Sequence, residues 1–170
     1  MKQRSIFQLV FISSMAFFLT IPSLSFAGEK ADFSGEWTLN ESKSDLGEGR
    51  FRAAAKMTVI QDGNSLTIER TRTGRDGQER TASETFTMDG KESINEGENR
   101  KSTSTVTWSD DGSTMTIKSI REFNRQGETF EMNSTEIWTL DEDGKVLEIQ
   151  SDTSYRNDKI LMKSARLLIL

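Results

Sequence analysis

The chain has 170 residues, with 22 basic and 27 acidic side chains, a formal net charge of −5, and neither histidine nor cysteine. That composition excludes His-dependent triads, cysteine nucleophiles, disulfide scaffolds and the usual zinc, copper and haem sites. Its acidity disfavours nucleic acid and anionic membrane surfaces as partners.

The first element is a targeting segment. Lys2 and Arg4 form a positive start, and an apolar run from Ile6 to Ile21 follows, interrupted only by Gln8, Ser13, Ser14 and Thr20. Pro22 ends any helix, and Ser25-Phe26-Ala27 places small residues where a signal peptidase reads them. Residues 1–27 therefore read as a cleavable signal peptide, with no integral membrane anchor after cleavage and a bacterial periplasmic or extracellular destination. Without Lys2 and Arg4, the remaining 143 residues hold 20 basic against 27 acidic side chains, a formal charge of −7. Residues 28–170 suit one domain with one core.

Beyond Gly28, apolar residues recur at every second position and helical periodicity is nearly absent, so strands are expected throughout. The spacing predicts them at 35–41, 55–61, 65–73, 78–88, 91–96, 100–109, 114–124, 128–140, 145–155 and 159–168. Asp-Gly stands between alternating segments at Asp62-Gly63, Asp76-Gly77, Asp89-Gly90, Asp111-Gly112 and Asp143-Gly144, the chemistry of tight antiparallel hairpins. Segment 42–54 is the one long connection. Asp141-Glu142-Asp143-Gly144 lacks the twelve-residue spacing and distal glutamate of a calcium loop and reads as a hairpin turn.

Side chains can then be placed by period two. The inward face of most strands carries bulky apolar residues near one set of turns and small or charged residues near the other. Leu66 and Ile68 are followed by Arg70 and Arg72, and Phe86 is preceded by Glu84. Trp138 is preceded by Glu136, Ser134 and Met132. This sorting points to a single all-β, antiparallel up-and-down barrel of about eight to ten strands, closed at one end and open at the other.

Gly35-Glu36-Trp37 opens the first strand. This resembles the first signature of the lipocalins and the wider calycin superfamily, including the fatty-acid-binding type. The resemblance implies that Gly35 and Trp37 plug the closed end, with Arg166 on the last strand packing over the indole. The second lipocalin signature has no counterpart here, and ten strands lean toward the fatty-acid-binding layout. Phe33 to Asn40 also resembles the opening of exported bacterial lipocalin-like proteins of unknown function.

Three functions follow as expectations. In the first, the domain is a non-enzymatic binding protein, without cofactor or metal, for a small amphipathic or hydrophobic ligand that can be anionic. Arg70, Arg72 or Arg121 would face its head, and Phe86, Trp108, Met132 and Trp138 its apolar part, with Glu84, Glu136 and Tyr155 also in the ligand site. Segment 42–54, with Phe51, would act as a lid. For the aromatics a filled core stands as an equal alternative. The second reading is a protein-interaction or inhibitor domain with a filled barrel. The third is a glycoside-acting enzyme using Glu84 and Glu136, and an arginine between the two would count against it.

Overall fold

The computed structural model describes residues 28–47, 53–74, 76–125, 127–155 and 158–170. The expected signal peptide and Phe51 of the expected lid lie outside these residues. Ten strands follow one another: β1 (Gly35–Leu39), β2 (Lys56–Asp62), β3 (Ser65–Thr73), β4 (Glu79–Thr87), β5 (Glu92–Gly97), β6 (Arg100–Trp108), β7 (Met115–Arg125), β8 (Glu128–Leu140), β9 (Val146–Tyr155) and β10 (Asp158–Ile169). A short 3-10 turn, Glu41–Lys43, follows β1. Each expected strand is present with ends shifted by no more than two residues. The glycines of all five Asp-Gly pairs take φ between 56° and 80°, the left-handed conformation that tight hairpins require.

The strands form one antiparallel sheet in the order β4-β3-β2-β1-β10-β9-β8-β7-β6-β5. Chain neighbours pair throughout, and the first strand closes on the last through Thr38 with Ile169 and Leu39 with Leu168. The exception is β4 and β5, the two edges of the sheet. No strand ladder joins them. Side chains do so instead: the Thr85 N–H donates to Asn95 Oδ1 at 2.9 Å, Asn95 Nδ2 donates back to the Thr85 carbonyl at 3.0 Å, and the Thr87 N–H donates to Ser93 Oγ at 2.8 Å. The result is a nearly closed barrel whose exposed edges are satisfied by side chains, which removes the hazard of bare strand edges.

The apolar residues gather at one end. Phe33, Trp37, Val59, Leu66, Ile68, Phe86, Val106, Met115, Trp138, Leu147 and Ile149 form a cluster with 2% exposure or less. Phe33 lies at its centre, with its ring stacked on Trp108 at 5.9 Å and edge-on to Trp138 at 5.8 Å. Each such aromatic removes about 150–250 Å² from water, an upper bound of roughly 4–6 kcal/mol apiece.

Residues 28–33 are drawn across this end. The Ala31 N–H donates to the Gly112 carbonyl at 2.9 Å, the Phe33 N–H to Gln61 Oε1 at 2.6 Å, and Lys30 Nζ to the Met88 carbonyl at 3.1 Å. Lys30 also sits over the Trp108 ring at 5.3 Å. Trp37 Nε1 donates to the Phe33 carbonyl at 2.9 Å, so the indole holds the stopper in place. At Gly35, φ is +148°, and a Cβ would lie 2.7 Å from a Leu170 side-chain carbon. Only glycine fits there. The stopper is thus shared between Trp37 and Phe33, and the second of these was not singled out from the Gly-x-Trp pattern.

Candidate functional site

Moving along the strands away from the stopper, the interior turns polar at one level. Trp138 marks the boundary, with its indole ring against Phe33 and its Nε1 donating to Glu136 Oε2 at 3.1 Å. Above it lies an ion-pair network. Arg70 donates through Nη1 to Glu84 Oε2 at 3.2 Å and through Nη2 to Glu136 Oε2 at 2.7 Å. Arg121 reaches the same Glu84 oxygen at 3.3 Å, and Arg166 donates to Glu136 Oε1 at 3.0 Å. The Arg70 guanidinium also lies 5.9 Å from the Trp138 ring centre. Beside the network, Ser104 donates to Ser119 Oγ at 2.8 Å, both hydroxyls being buried.

These groups border a cavity of about 240 Å³ that opens at the end opposite the stopper. Among the described residues, its wall takes in Arg70, Arg72, Arg100, Arg121 and Arg166, with Lys101 and Lys163, against the carboxylates Glu84 and Glu136. All five arginines lie on the inward phase of their strands: Arg70 pairs with Ala82, Arg72 with Arg80, Arg100 with Phe123, Arg121 with Ser102, and Arg166 with Ile149. Leu46, Ala53, Phe123 and Met132 add an apolar side. Leu46 belongs to the long connection after β1, which is tied to β10 by the Ala165 N–H donating to the Asp45 carbonyl at 2.9 Å.

The electrostatics of the site are those of excess positive charge. Burial works to raise the Glu136 carboxyl, but the charges of Arg70, Arg166 and Arg121 outweigh it and hold it well below the usual carboxylate range. Arg72 is open to solvent at the mouth, yet its guanidinium is lowered from its ordinary value by the desolvating wall and then by the like charges of Arg70, Arg121 and Arg166. The Nε of Arg166 is buried and has no acceptor among the described residues. Also among the described residues, no group of three or more acidic side chains is placed to hold a metal ion.

The expected site residues divide into two groups. Arg70, Arg72, Glu84, Arg121, Met132 and Glu136 come together at the cavity. Phe86, Trp108 and Trp138 do not: they belong to the apolar end, where Phe33 fills the space an apolar ligand tail would need. Tyr155 pairs with Met132 in the β8–β9 ladder and is not part of the cavity wall. Arg166 was expected over Trp37, but its guanidinium turns to Glu136 and to the cavity. Its neighbour carboxylate is the stronger attraction, since a charged hydrogen bond outweighs a cation–indole contact. Arg70 stands between Glu84 and Glu136, and this counts against the glycosidase pair. A carboxyl held as low as Glu136 also has no proton to donate near neutrality.

Arg100 escaped the sequence reading, although extending the inward phase of β6 back from Ser102 by one step reaches it. Ser134, Ser151 and Thr153 were legible as inward-facing but carried no chemical signal of their own.

No protein-family model matches the chain, and no curated protein matches it in sequence. Among solved structures, the chain is similar to zebrafish ileal bile acid-binding protein complexed with cholic acid, with a TM-score of 0.47 and 17% identity. That match covers 81% of this chain and 97% of the other. The layout itself is ten antiparallel strands in up-and-down order around a nearly closed barrel.

Proposed function

We propose that this is an exported, non-catalytic binding protein whose barrel mouth holds a small anionic molecule. One observation carries the reading: five inward arginines face two glutamates around a cavity, in a chain whose net charge is −5. An acidic protein that concentrates cations around the opening of its barrel has a local positive potential that a bound anion would answer. Arginine suits this work because its planar fork matches carboxylate and phosphate oxygens. The uncharged part of the ligand would rest on Met132, Phe123 and Leu46. Export rests on the basic start at Lys2 and Arg4, the apolar run to Ile21 and the small residue Ala27 ahead of Gly28.

Native mass spectrometry of the protein purified from its own source, followed by extraction of any bound molecule, tests the reading. The expected result is a co-purifying acid lost from the Arg72→Gln variant. A barrel that stays empty with every small acid supplied to it would refute the proposal. Amino-terminal sequencing of the exported form, expected to begin at Gly28, tests the export step separately.

A further inference from the structure

The cavity carries more than a preference for negative charge. Resting on the reading of that cavity as an anion site, we propose that its ligand is a small hydroxylated dianion, a phosphate monoester of a polyol, and not a long-chain carboxylate.

The first argument is charge. Arg70 is shared between Glu84 and Glu136, Arg166 is held by Glu136 and Arg121 by Glu84. Arg72 and Arg100 carry no ion pair among the described residues. Among the described wall residues, five guanidinium groups, with Lys101 and Lys163 beside them, outnumber the two carboxylates. A monocarboxylate would answer only one charge of that excess. A phosphate monoester brings about −1.5 to −2 charges near neutrality and three strong acceptor oxygens. The buried Arg166 Nε is a donor still lacking an acceptor.

The second argument is the wall beside these arginines. Ser134 on β8, Ser151 and Thr153 on β9, and Ser164 on β10 all border the cavity. They are cross-strand neighbours, with Ser134 opposite Thr153 and Ser151 opposite Ser164. None of the four hydroxyls has a partner among the described residues. Residues paired across a sheet stand about 5 Å apart, so together they make one patch of unspent donors and acceptors. Such a patch suits a body rich in hydroxyls and wastes its hydrogen bonds on an acyl chain.

The third argument is room. About 240 Å³ is the space of roughly eight waters and falls below the range of drug-sized pockets. The cavity cannot continue downward, because Phe33, Phe86 and Trp138 fill the barrel beneath it.

Isothermal titration of the exported protein at pH 7.5 with glucose 6-phosphate, glucose, inorganic phosphate and octanoate separates the possibilities. Glucose 6-phosphate is expected to bind at least about tenfold more tightly than octanoate or inorganic phosphate, and glucose not measurably. Its affinity should fall between pH 7.5 and pH 5, as the phosphate takes up its second proton near pH 6. Arg72→Gln and Arg100→Gln, both on the exposed rim, should each weaken it about tenfold. Ser151→Ala with Thr153→Val should weaken glucose 6-phosphate and leave inorganic phosphate unchanged. Octanoate binding as tightly as the sugar phosphate would overturn this proposal while leaving the anion site standing. Inorganic phosphate equal to glucose 6-phosphate would overturn the hydroxylated body. Failure of all three anions to bind would bring down the anion site itself.

Discussion

The two ends of the barrel are built from the same strands and differ in almost every physical respect. At the stopper end, Phe33, Trp37 and Trp138 are packed with 1% exposure or less, and the chain leading into β1 is laced across the opening. At the mouth, the same β3 and β8 present Arg70, Arg72 and Glu136, and the space between them is open. Stability is therefore concentrated where nothing can bind, and binding chemistry where little apolar surface is buried. Each strand serves both ends because an inward face changes character along its length and not between strands.

The largest expected break in this contrast is at the stopper. Phe33→Ala should cost about 3–5 kcal/mol in denaturant unfolding, since its cavity lies among rigid aromatic walls. A loss under about 1 kcal/mol would mean that Phe33 does not close the barrel. Next comes the network at the boundary. Glu136→Gln removes the charge shared by Arg70 and Arg166 and should cost about 3 kcal/mol, the low end for a buried charge left without its partner, because the cavity admits solvent. A variant as stable as the parent would show that the network serves the site alone.

The pH dependence of that loss sharpens the test. The folded Glu136 carboxyl lies well below its value in the unfolded chain. The unfolded chain therefore takes up the proton first on acidification. The stabilisation is fully present above about pH 4.5, the ordinary glutamate region, and is lost as pH falls toward the folded value. The stability gap between parent and Glu136→Gln should thus be widest at pH 7 and narrow by pH 3, measured by urea unfolding at each pH. The smallest effect is expected at the seam. Asn95→Ala removes both amide bonds to Thr85 and should cost about 1 kcal/mol, with faster hydrogen exchange at the Thr85 amide.

Much of this was legible before any tertiary structure. Asp-Gly pairs set the hairpins, and the period-two pattern assigned Leu66, Ile68, Arg70 and Arg72 to one face with their polarity already sorted. Glu84 and Glu136 fell on the same inward face as those arginines for the same reason. What escaped were contacts made across the barrel or around its ends. The seam between β4 and β5 could not be seen, because its lacing depends on where Asn95 falls relative to Thr85. Phe33 precedes the first strand, so no periodicity assigned it a face. Trp108 and Trp138 faced inward as expected, but whether they bordered a ligand or a filled core turned on the position of Phe33. Arg166 had two candidate partners, Trp37 and Glu136, and only the stagger of β10 against β8 chose between them.

The sequence by itself determined which residues are strand, where the chain turns, which side chains face inward and that the interior has an apolar and a charged half. Those properties are local, resting on backbone alternation and turn chemistry within a few residues. Only the tertiary structure decided that Arg70 joins Glu84 to Glu136, that Phe33 fills the lower barrel and that, among the described residues, cations outnumber carboxylates around the cavity. Such pairings depend on the height at which distant strands meet, and strand tilt and stagger set that height once the barrel closes.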